Sequence, residues 1–591
     1  MKFAAFVEKN YGKIAFTIYI LFYLIYIITR FTPNCLQHPI TQIDYTWHFV
    51  DMVTASRFFE ENNRIWGYNP YHSAGTTVGI ALAISNHWAL LFSILLGRLF
   101  APALVFNLSI LSALLLLPIL ALFTARNFGF KKPNSLLFFA LSIFFLRGHN
   151  MLTSFLYYGL YGFVLGTFLS LYTTSIFFRY MRDKTRKNLV LLTFFASLTF
   201  FVHPLTFIIC LLLCGPLCIF HFNQFRITDW WKLLCSASIV FIVNLIWIIP
   251  QIRFADYLKG TWHFFQTDFP FAHSILTHPH FSIILVLFLF SLITLIQKER
   301  AFAASIFSSF VLIAILSFFG TQIGFSNLEP GRFTILIILL ALLNIAKIFD
   351  FERINYGLLL LMLVVFAMFA TPQFKLTCAY PGKAYQLLEF IETNTSENSR
   401  IHVEDGNAQY FNSHFTSYLS YATSRQVLAA EYLYPADAFM FPQFIGDSIF
   451  GKNLNRISDS ELASYLELYN VKYFLIFSEG ACKFFDSHKS FKKIFPINDS
   501  ANKTYPHTFS LYEYLDANES FCYNCSADVF ADYDLINVTN ATSNITVLKY
   551  HYYDTLKITP ELTMKPIKLL DDPIPFIKVE TGNQTEFTIY N

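Results

Sequence analysis

Residues 14–48, IAFTIYILFYLIYIITRFTPNCLQHPITQIDYTWH, are the stretch that decides the class of fold. The apolar run 14–30 is long enough to span a bilayer and lacks a small-residue cleavage site, so it predicts a retained helix rather than a cleaved signal peptide. Directly after it come a carboxylate, Asp44, and a histidine, His48. Ionisable side chains just outside a first transmembrane helix indicate chemistry at a membrane face.

The composition is that of a membrane protein. Of the 591 residues 55% are hydrophobic and 14% charged, whereas soluble domains average about 25% charged. We predict a mainly α polytopic membrane domain over residues 1–373 and a soluble domain over 374–591, where apolar runs shorten and Asn, Ser and Thr become common. The tail holds 17 Lys/Arg against 26 Asp/Glu, and the rest 25 against 13. The near-neutral total indicates no nucleic-acid partner.

About eleven transmembrane helices are predicted from runs of apolar residues. The runs are 14–30, 103–125, 134–147, 157–178, 189–202, 205–220, 233–250, 281–297, 301–319, 333–349 and 355–371. The shorter run 88–100 is interpreted as a re-entrant or interfacial piece that follows the first outer loop, 32–87. In the tail we predict α/β structure, with helices over 380–396 and 459–469 and strands over 400–404 and 471–478. Beyond residue 505 short alternating runs predict a β-rich end.

The orientation follows from the basic residues of the loops. With the N-terminus inside, 17 Lys and Arg lie inside and 8 outside, which agrees with the positive-inside rule and places the tail outside. Sequons, which are used on that side, begin at Asn394, Asn498, Asn502, Asn518, Asn524, Asn537, Asn540, Asn544 and Asn583. The alternative is that an AT-rich gene makes Asn common. In an oxidising compartment Cys378, Cys482, Cys522 and Cys525 could form disulfides. We expect a multi-pass plasma-membrane protein with an extracytoplasmic tail.

The first outer loop holds the main candidate site. Asp44, His48 and Asp51 are spaced i, i+4 and i+7, so they share one helix face if a helix begins before Asp44. Ten of the 16 histidines fall in outer loops or at outer helix ends under this topology, which makes the outer face the working face. Histidines also tolerate membrane interfaces, so that distribution has a structural alternative.

Further candidates lie at other outer helix ends. His203 stands between two spans, Arg253 and His263 in the loop 253–280, and Glu329 and Arg332 just before the tenth span. An arginine at the mouth of a transmembrane helix is costly unless it is paired, and a phosphate fits its planar fork. The alternative is an anchoring arginine at the level of the lipid headgroups. No GxxxxGK[ST], strand-linked GxGxxG or HExxH motif occurs, so the sequence shows no nucleotide-binding signature. A group donor used on the outer face would therefore be carried by lipid and not by a nucleotide.

The arrangement resembles the GT-C superfamily of polytopic membrane glycosyltransferases. The resemblance rests on the position of Asp44, and on the run from Asn69-Pro-Tyr to the second span ending in Ala-Arg-Asn-Phe-Gly129. The tail segments Ser399-Arg-Ile-His-Val-Glu404-Asp405 and Tyr469-Asn-Val-Lys-Tyr-Phe474 resemble YfhO-like and archaeal pyruvoyl-tetrahydropterin-synthase-related membrane proteins. The first loop has no DxD motif and no WWDYG-like motif follows the last span, so the resemblance does not single out oligosaccharyltransferases.

The resemblance implies a polyprenyl-phosphate sugar donor and a glycan, lipid or protein acceptor at an extracytoplasmic face in contact with membrane lipid. It makes Asp44 the catalytic base or a metal ligand; no cofactor is assigned, and a divalent cation is left open. Arg332, with Arg253 or His203, is expected to bind the donor phosphate. His48, Asp51, His263 and Glu329 are supporting residues. Two other classes compete: a non-catalytic scaffold or assembly factor, and a transporter of lipid-linked glycans.

Overall fold

The structure is a computed structural model that describes residues 17, 20–21, 23–78, 86–148, 155–255, 279–320, 330–348, 375–380, 382–405, 415–428, 441–498 and 508–591. Its contacts divide the chain into two compact units. The first comprises Met1–Ile40, Ile84–Ile248 and Trp262–Cys378, and the second Thr41–Ala83, Ile249–Thr261 and Ala379–Asn591. Residues 41–83 and 249–261, which the sequence analysis placed in the membrane domain, thus group with the tail.

The α-helices of the described residues follow in chain order. They are α1 (Asp44–Asn62), α2 (His87–Leu96), α3 (Pro102–Asn127), α4 (Lys132–Gly148), α5 (Tyr161–Asp183), α6 (Arg186–Val202), α7 (Pro204–Phe220), α8 (Ile227–Arg253), α9 (Pro279–Lys298), α10 (Arg300–Phe319), α11 (Thr334–Ile348), α12 (Gly382–Asn394), α13 (Phe415–Thr423), α14 (Asp459–Leu468) and α15 (Glu479–Ser487).

The first unit is a helical assembly around α5. This helix packs against α3, α6 and α7 and is buried along almost its whole length. In contrast, α8 exposes a row of large apolar side chains that includes Ile239, Phe241 and Ile246. A helix that exposes so much apolar surface needs a lipid environment. Proline occupies the first position of α3 and of α7, where its missing N–H and fixed φ suit the start of a helix.

Most of the predicted spans coincide with helices. The runs from 103–125 to 333–349 correspond in order to α3 through α11. Within the described residues, five helices are long and apolar enough to cross a membrane: α3, α5, α8, α10 and Gly331–Ile348. The predicted span 14–30 is described only in part, and 355–371 lies outside the described residues. The total of about eleven spans therefore stays a prediction. The run 88–100 forms the short helix α2.

The second unit contains the described strands. They are β1 (Gly67–Asn69), β2 (Thr76–Val78), β3 (Arg400–Asp405), β4 (Gln426–Leu428), β5 (Phe444–Ile445), β6 (Ser448–Ile449), β7 (Lys452–Asn453), β8 (Val471–Ile476), β9 (Phe491–Asn498), β10 (Thr508–Tyr514), β11 (Asp528–Asp532), β12 (Leu535–Thr539), β13 (Ile545–His551), β14 (Lys557–Thr559), β15 (Thr563–Ile567), β16 (Phe576–Glu580) and β17 (Phe587–Tyr590).

These strands form a mixed sheet followed by a β-rich end. The mixed sheet has the order β7-β6-β5-β3-β8-β10-β9, in which β3 pairs in parallel with β4, β5 and β8. Two antiparallel sheets, β11-β12-β17-β14 and β13-β16-β15, share one apolar core at the end of the chain. The α/β structure and the β-rich end predicted for the tail are confirmed. The predicted helices become α12 and α14, and the predicted strands become β3 and β8.

Arg400 at the start of β3 holds the two halves of the tail together. Its side chain is fully buried. Its guanidinium donates to the carbonyl oxygens of Tyr469 and Lys549, both at 2.8 Å, and to the Gln426 side chain at 3.1 Å. Lys549 belongs to β13, so these bonds join the mixed sheet to the β-rich end. A buried guanidinium is tolerated when its donors are satisfied in this way.

Part of the first outer loop is built into the second unit. In the turn between β1 and β2, His72 forms a parallel bridge with Val427 of β4. The amide of Ser73 donates to the carbonyl of Val427 at 3.0 Å, and the amide of His551 donates to the carbonyl of Ala74 at 2.7 Å. Backbone hydrogen bonds of this kind are obligatory for buried chain, so the loop is a structural part of the unit that contains the tail.

Candidate functional site

Asp44 opens helix α1. The residue before it, Ile43, has φ 44° and ψ −121°. A positive φ is a true outlier for a β-branched residue, because the branched side chain crowds the backbone there. Strained residues of this kind cost about 1–3 kcal/mol and cluster at active sites. The backbone is therefore held in an unfavourable shape at the point where it presents Asp44.

The three candidate residues of α1 lie on one side of the helix. Because α1 includes Asp44, the spacing to His48 and Asp51 places the three side chains on a common face. Asp44 is half-buried, whereas His48 and Asp51 are only 2% and 6% exposed. The ring of Trp47 lies 4.7 Å from that of His48. Burial of a carboxylate and an imidazole lowers stability unless they are satisfied, and such groups are typical of functional sites.

Helix α1 differs in one respect from its prediction. In the sequence, the spacing of Val50, Val53 and Phe58 predicts an amphipathic helix over 46–60 that lies along the membrane interface with these residues on its apolar side. The helix is present, but burial continues round most of it and includes the polar residues Thr46, His48, Asp51 and Thr54. Polar and apolar sides are both covered because the helix packs against other parts of the second unit, which a periodicity argument does not consider.

Contacts along its whole length fix α1 within the second unit. The hydroxyls of Thr46 and Tyr380 are hydrogen-bonded at 2.9 Å. In the next turn, the Phe49 ring packs edge-on against Tyr421 at 5.1 Å. At the other end, Arg57 donates to the Asp532 carboxylate at 2.7 Å. A helix that is held at both ends can keep a catalytic side chain in place, as a preorganised site requires.

Arg64, just after the carboxyl end of α1, makes an ion pair that is more buried than the one between Arg57 and Asp532. Its guanidinium lies 2.6 Å from the carboxylate of Asp534, and the two side chains are 20% and 7% exposed. Asn62 donates to the same carboxylate at 2.9 Å, and the Tyr68 amide donates to its other oxygen at 2.7 Å. Asp534 thus anchors both the end of α1 and the beginning of the β1–β2 hairpin.

One side-chain amide, that of Asn107, makes three hydrogen bonds to the loop that leads to Asp44. Asn107 of α3 is 3% exposed. Its Nδ2 donates to the carbonyls of Cys35 and His38 at 2.7 and 2.9 Å, and its Oδ1 accepts from the amide of Ile40 at 3.1 Å. Asn107 is not among the candidate residues predicted from the sequence. Its signal is a lone amide in an apolar helix, because such a group needs partners inside a membrane.

A disulfide joins Cys35 in the same loop to Cys378, 343 residues later. Backbone bridges flank it, between Phe31 and Leu376 and between Ile40 and Cys378. Cys522 and Cys525 form the second disulfide. Cys482, which the sequence placed among the disulfide-forming cysteines, carries a free thiol. Sequence spacing did not show Cys35 as a partner, since the disulfide depends on distant segments meeting.

Phe333, the residue after Arg332, and His203 pack on one phenylalanine of the first unit, Phe163. Arg332 lies half-buried in the 3₁₀ turn Pro330–Phe333. The neighbouring Phe333 stacks on Phe163 of α5 at 6.1 Å, and His203 packs edge-on against the same ring at 5.3 Å. His203 is 5% exposed and connects α6 to α7. His203 and the residue that follows Arg332 thus contact the same ring, although they are far apart in sequence.

The remaining candidates are placed differently. Arg253 at the end of α8 is exposed and belongs to the second unit. His263 and Glu329 lie outside the described residues. His87 has a structural position: its ring stacks on Phe201 at 4.6 Å, and its Nδ1 lies 2.7 Å from the Phe201 carbonyl oxygen. Within the described ranges no three His, Cys, Asp or Glu side chains are grouped so as to hold a metal ion.

The tail segment 399–405 forms a central buried strand. Glu404 at its carboxyl end accepts the backbone amides of Phe477 and Ser478, at 2.8 and 2.9 Å, which fixes the start of α15. Burial raises the pKa of Glu404. Burial also lowers the pKa of His402 to about 3, while its Nε2 lies 2.8 Å from the carbonyl oxygen of Pro442. These contacts give the segment a structural role.

Comparisons with known proteins show what this fold is similar to. No protein-family model and no curated protein sequence matches the chain. Among solved structures it is similar to the arabinofuranosyltransferase AftD from Mycobacteria, with a TM-score of 0.60 and 12% identity over 89% of this chain and 41% of AftD. It also matches the Archaeoglobus fulgidus oligosaccharyltransferase tethered with an acceptor peptide, with a TM-score of 0.49 and 10% identity over 85% of this chain and 74% of that one.

The likeness to AftD concerns the fold. At 12% identity it carries no residue assignments, and the chain spans about two fifths of the length of AftD. AftD is a membrane glycosyltransferase of the GT-C superfamily. The apolar helices of the first unit and the resemblance seen in the sequence agree with this result. The chain therefore shares its fold with AftD over most of its length.

Proposed function

We propose that this chain is a membrane glycosyltransferase that moves a sugar from a polyprenyl-phosphate-linked donor to a glycan, lipid or protein acceptor on the extracytoplasmic face. The observation that carries the proposal is the position of Asp44 in a chain with the GT-C fold. Its carboxylate stands at the first residue of α1, behind the strained Ile43 and on the same face as His48 and Asp51.

The proposed reaction is an inverting transfer. Asp44 takes the proton of an acceptor hydroxyl, whose oxygen then forms a bond to the anomeric carbon of the sugar. The bond between that carbon and the phosphate oxygen breaks, and polyprenyl phosphate leaves with the electron pair. His48 and Asp51 support the base from the same helix face. Because α1 is held at both ends, the Asp44 carboxylate does not need to reorganise before it accepts the proton.

Arg332 is proposed to stabilise the charge that develops on the leaving phosphate. A guanidinium offers two parallel donors to a phosphate, and preorganised donors of this kind stabilise a transition state. His203 packs on Phe163 together with the turn that carries Arg332, so we assign it to the same phosphate-binding group. Arg253 is exposed and remains the alternative partner.

The extracytoplasmic face is supported by the cysteines and the sequons. A disulfide between Cys35 and Cys378 requires an oxidising compartment and requires both residues to lie on the same side of the membrane. Cys35 follows the first predicted span, and Cys378 precedes the tail. Six of the seven sequon asparagines whose side chains are described are exposed: Asn394, Asn518, Asn524, Asn540, Asn544 and Asn583.

The test is a transfer assay with the purified protein in nanodiscs, a panel of short-chain polyprenyl-phosphate sugars and candidate glycan, lipid and peptide acceptors. Asp44→Asn keeps the shape of the side chain and removes the base. It is expected to lower kcat by about 100-fold or more, the usual scale for loss of a general base, with an unchanged melting temperature. The control is Glu60→Gln, an exposed carboxylate on the same helix, which should leave transfer intact.

The outcomes separate the proposal from its competitors. Normal transfer by Asp44→Asn would remove Asp44 from the role of base. The scaffold function would be favoured by two results together. The wild-type protein would transfer no sugar from any donor, and the Asp44→Asn variant would still restore the normal phenotype of cells that lack the protein.

A further inference from the structure

Three loops meet at one end of the β-rich region. They are the segments 522–527, 540–544 and 581–586, and we call their meeting place the sequon pole. The amide of Thr542 donates to the carbonyl of Ser526 at 3.2 Å, and the amide of Ala541 to the carbonyl of Thr585 at 3.0 Å. The amide of Thr581 donates to the carbonyl of Asn544 at 2.9 Å. The loops therefore form a single connected surface.

Every asparagine in these loops begins a sequon. The four are Asn524-Cys-Ser, Asn540-Ala-Thr, Asn544-Ile-Thr and Asn583-Gln-Thr. All four asparagines are exposed, and Asn524 and Asn540 occupy turn positions with positive φ. Exposed loops and turns can carry a bulky glycan without disturbing a core. Two other exposed sequons, at Asn394 and Asn518, lie outside the pole.

The sequon pole is at the far end of the region from α1. The hairpin β11–β12 turns at Tyr533 and Asp534, where Arg57 and Arg64 of the α1 segment bind the carboxylates of Asp532 and Asp534. Its other end, at Asp528 and Thr539, leads into the loops of the pole. Strands of five residues span about 17 Å, so this length of hairpin separates the pole from the helix that carries Asp44.

Strand β13, like the hairpin β11–β12, has one end at the sequon pole and the other end near the first outer loop. It begins at Ile545, next to Asn544 in the pole, and ends at His551, whose amide binds the carbonyl of Ala74 in the first outer loop. The hairpin β11–β12 and the strand β13 therefore give the same result. Glycans attached at the sequon pole would project away from α1.

We propose that the sequon pole is a site of N-linked glycosylation and that its glycans cover the end of the tail opposite to α1. In this modification the Nδ2 atom of the asparagine forms a bond to the anomeric carbon of a glycan carried on a lipid phosphate and loses one proton. The bond between that carbon and the phosphate breaks, and the lipid phosphate leaves. The inference rests on the extracytoplasmic placement of the tail proposed above. It does not depend on the glycosyltransferase activity of the chain.

Asn537 provides an internal comparison. It also begins a sequon, but it lies in the middle of β12 and is only half-buried rather than exposed. Its Oδ1 accepts a hydrogen bond from the Thr588 hydroxyl on the neighbouring strand β17 at 2.9 Å. A glycan there would replace a contact between strands and lie on the surface of the sheet. We therefore expect occupancy at the four asparagines of the pole and an unmodified side chain at Asn537.

The experiment is glycopeptide mass spectrometry on the full chain purified from its native membranes. The expected result is glycan on Asn524, Asn540, Asn544 and Asn583. Thr542→Ala removes one sequon and keeps the hydrogen bond from Asn540 to Asp528 at 2.6 Å. Together with Thr585→Ala it should remove two glycans, seen as two steps in gel mobility, without a change in transfer activity.

Unmodified asparagines at all four positions would overturn the proposal, and so would modification of Asn537 with an unmodified pole. Protease protection of the tail in sealed vesicles is measured on the same sample. A tail on the outer side with an unmodified pole would contradict this inference alone. A tail on the inner side would also contradict the proposed face of the reaction.

Discussion

Arg332 is the residue at which charge and geometry can be tested separately. If its guanidinium binds the donor phosphate through two parallel hydrogen bonds, Arg332→Lys loses one of them while the charge stays. A charge-assisted hydrogen bond contributes about 1.5–3 kcal/mol, so kcat/KM for the donor should fall about tenfold or more. The measurement is donor-concentration kinetics at saturating acceptor.

The control for that variant is Arg98→Lys, since Arg98 is an exposed arginine that follows the short apolar helix α2. Arginine and lysine side chains can both extend their charge toward the lipid headgroups, so a residue that serves only as an anchor tolerates lysine. Donor kinetics of Arg332→Lys equal to those of the wild type would remove Arg332 from the donor site and leave it as an anchor.

Lys549 is a residue whose charge lowers the stability of the tail. Its side chain is 1% exposed, and its Nζ has no hydrogen-bond partner. Burial lowers the pKa of Lys549 to about 8. Below that pH the amine is charged in both the folded and unfolded states, and the folded state bears the cost of the buried charge. As the pH rises from about 8 to 10.5 the folded state releases its proton first, so stability increases with pH.

Lys549→Met should therefore stabilise the protein at pH 7, by a free energy on the order of 2 kcal/mol. Its advantage over the wild type in melting temperature should shrink between pH 8 and pH 10. Lys565→Met is the control, because Lys565 is 57% exposed on the same sheet and pairs with Glu580. A Lys549→Met variant that is less stable than the wild type at pH 7 would contradict this account.

At the scale of elements, the β1–β2 hairpin packs against the β-rich end through one glycine. Gly75 has φ +101°, and a Cβ atom there would lie 1.9 Å from the Tyr68 hydroxyl oxygen. That hydroxyl donates to the His551 carbonyl at 3.2 Å. The hairpin can approach β13 only because residue 75 has no side chain. This contact joins the first outer loop to the end of the chain.

Gly75→Ala tests the close approach. It should lower the free energy of unfolding by roughly 3 kcal/mol or more, because steric overlap adds to the cost of about 1–2 kcal/mol of a left-handed alanine. Gly582→Ala is the matched control, since Gly582 has φ +57° and open space around its Cα. Thermal unfolding of both variants in detergent should show a much larger fall in melting temperature for Gly75→Ala. Equal losses would show that the Tyr68 contact is unimportant.

At the scale of the whole molecule, the disulfide between Cys35 and Cys378 closes most of the first unit into a loop. Cys35→Ser with Cys378→Ser should lower stability by about 2–5 kcal/mol. In the intact protein both thiols should resist alkylation until a reductant is added. Cys482→Ser is the control, since that thiol is free. Alkylation of Cys378 without reductant would contradict the disulfide.

The orientation of the whole chain is tested by reporters. Fusions after Tyr380 and after Lys187 are expected to report opposite sides of the membrane, because the basic loops favour the inside and the disulfide and sequons favour the outside. Reporters on the same side would overturn the proposed topology and the face of the reaction with it.

Candidate residues that are close in sequence could be predicted together. Asp44, His48 and Asp51 share a face because helix periodicity is a local property, which needs no knowledge of the rest of the chain. Arg332 and His203 were named separately as candidates at helix ends. The contact of His203 and of Phe333, the residue after Arg332, with the same Phe163 ring was not predictable, since it depends on how α5 packs with two distant turns. Asn107 was missed for the same reason.

The sequence by itself determined the membrane class, the helices α3 to α11 and the α/β order of the tail. Hydrophobic length and local periodicity carry that information, because they reflect how each segment meets lipid or water. Only the tertiary structure decided that residues 41–83 of the first outer loop belong with the tail and that Cys378 pairs with Cys35. Both depend on contacts between residues hundreds of positions apart, which are selected by the packing of complete elements and leave no periodic trace in either segment.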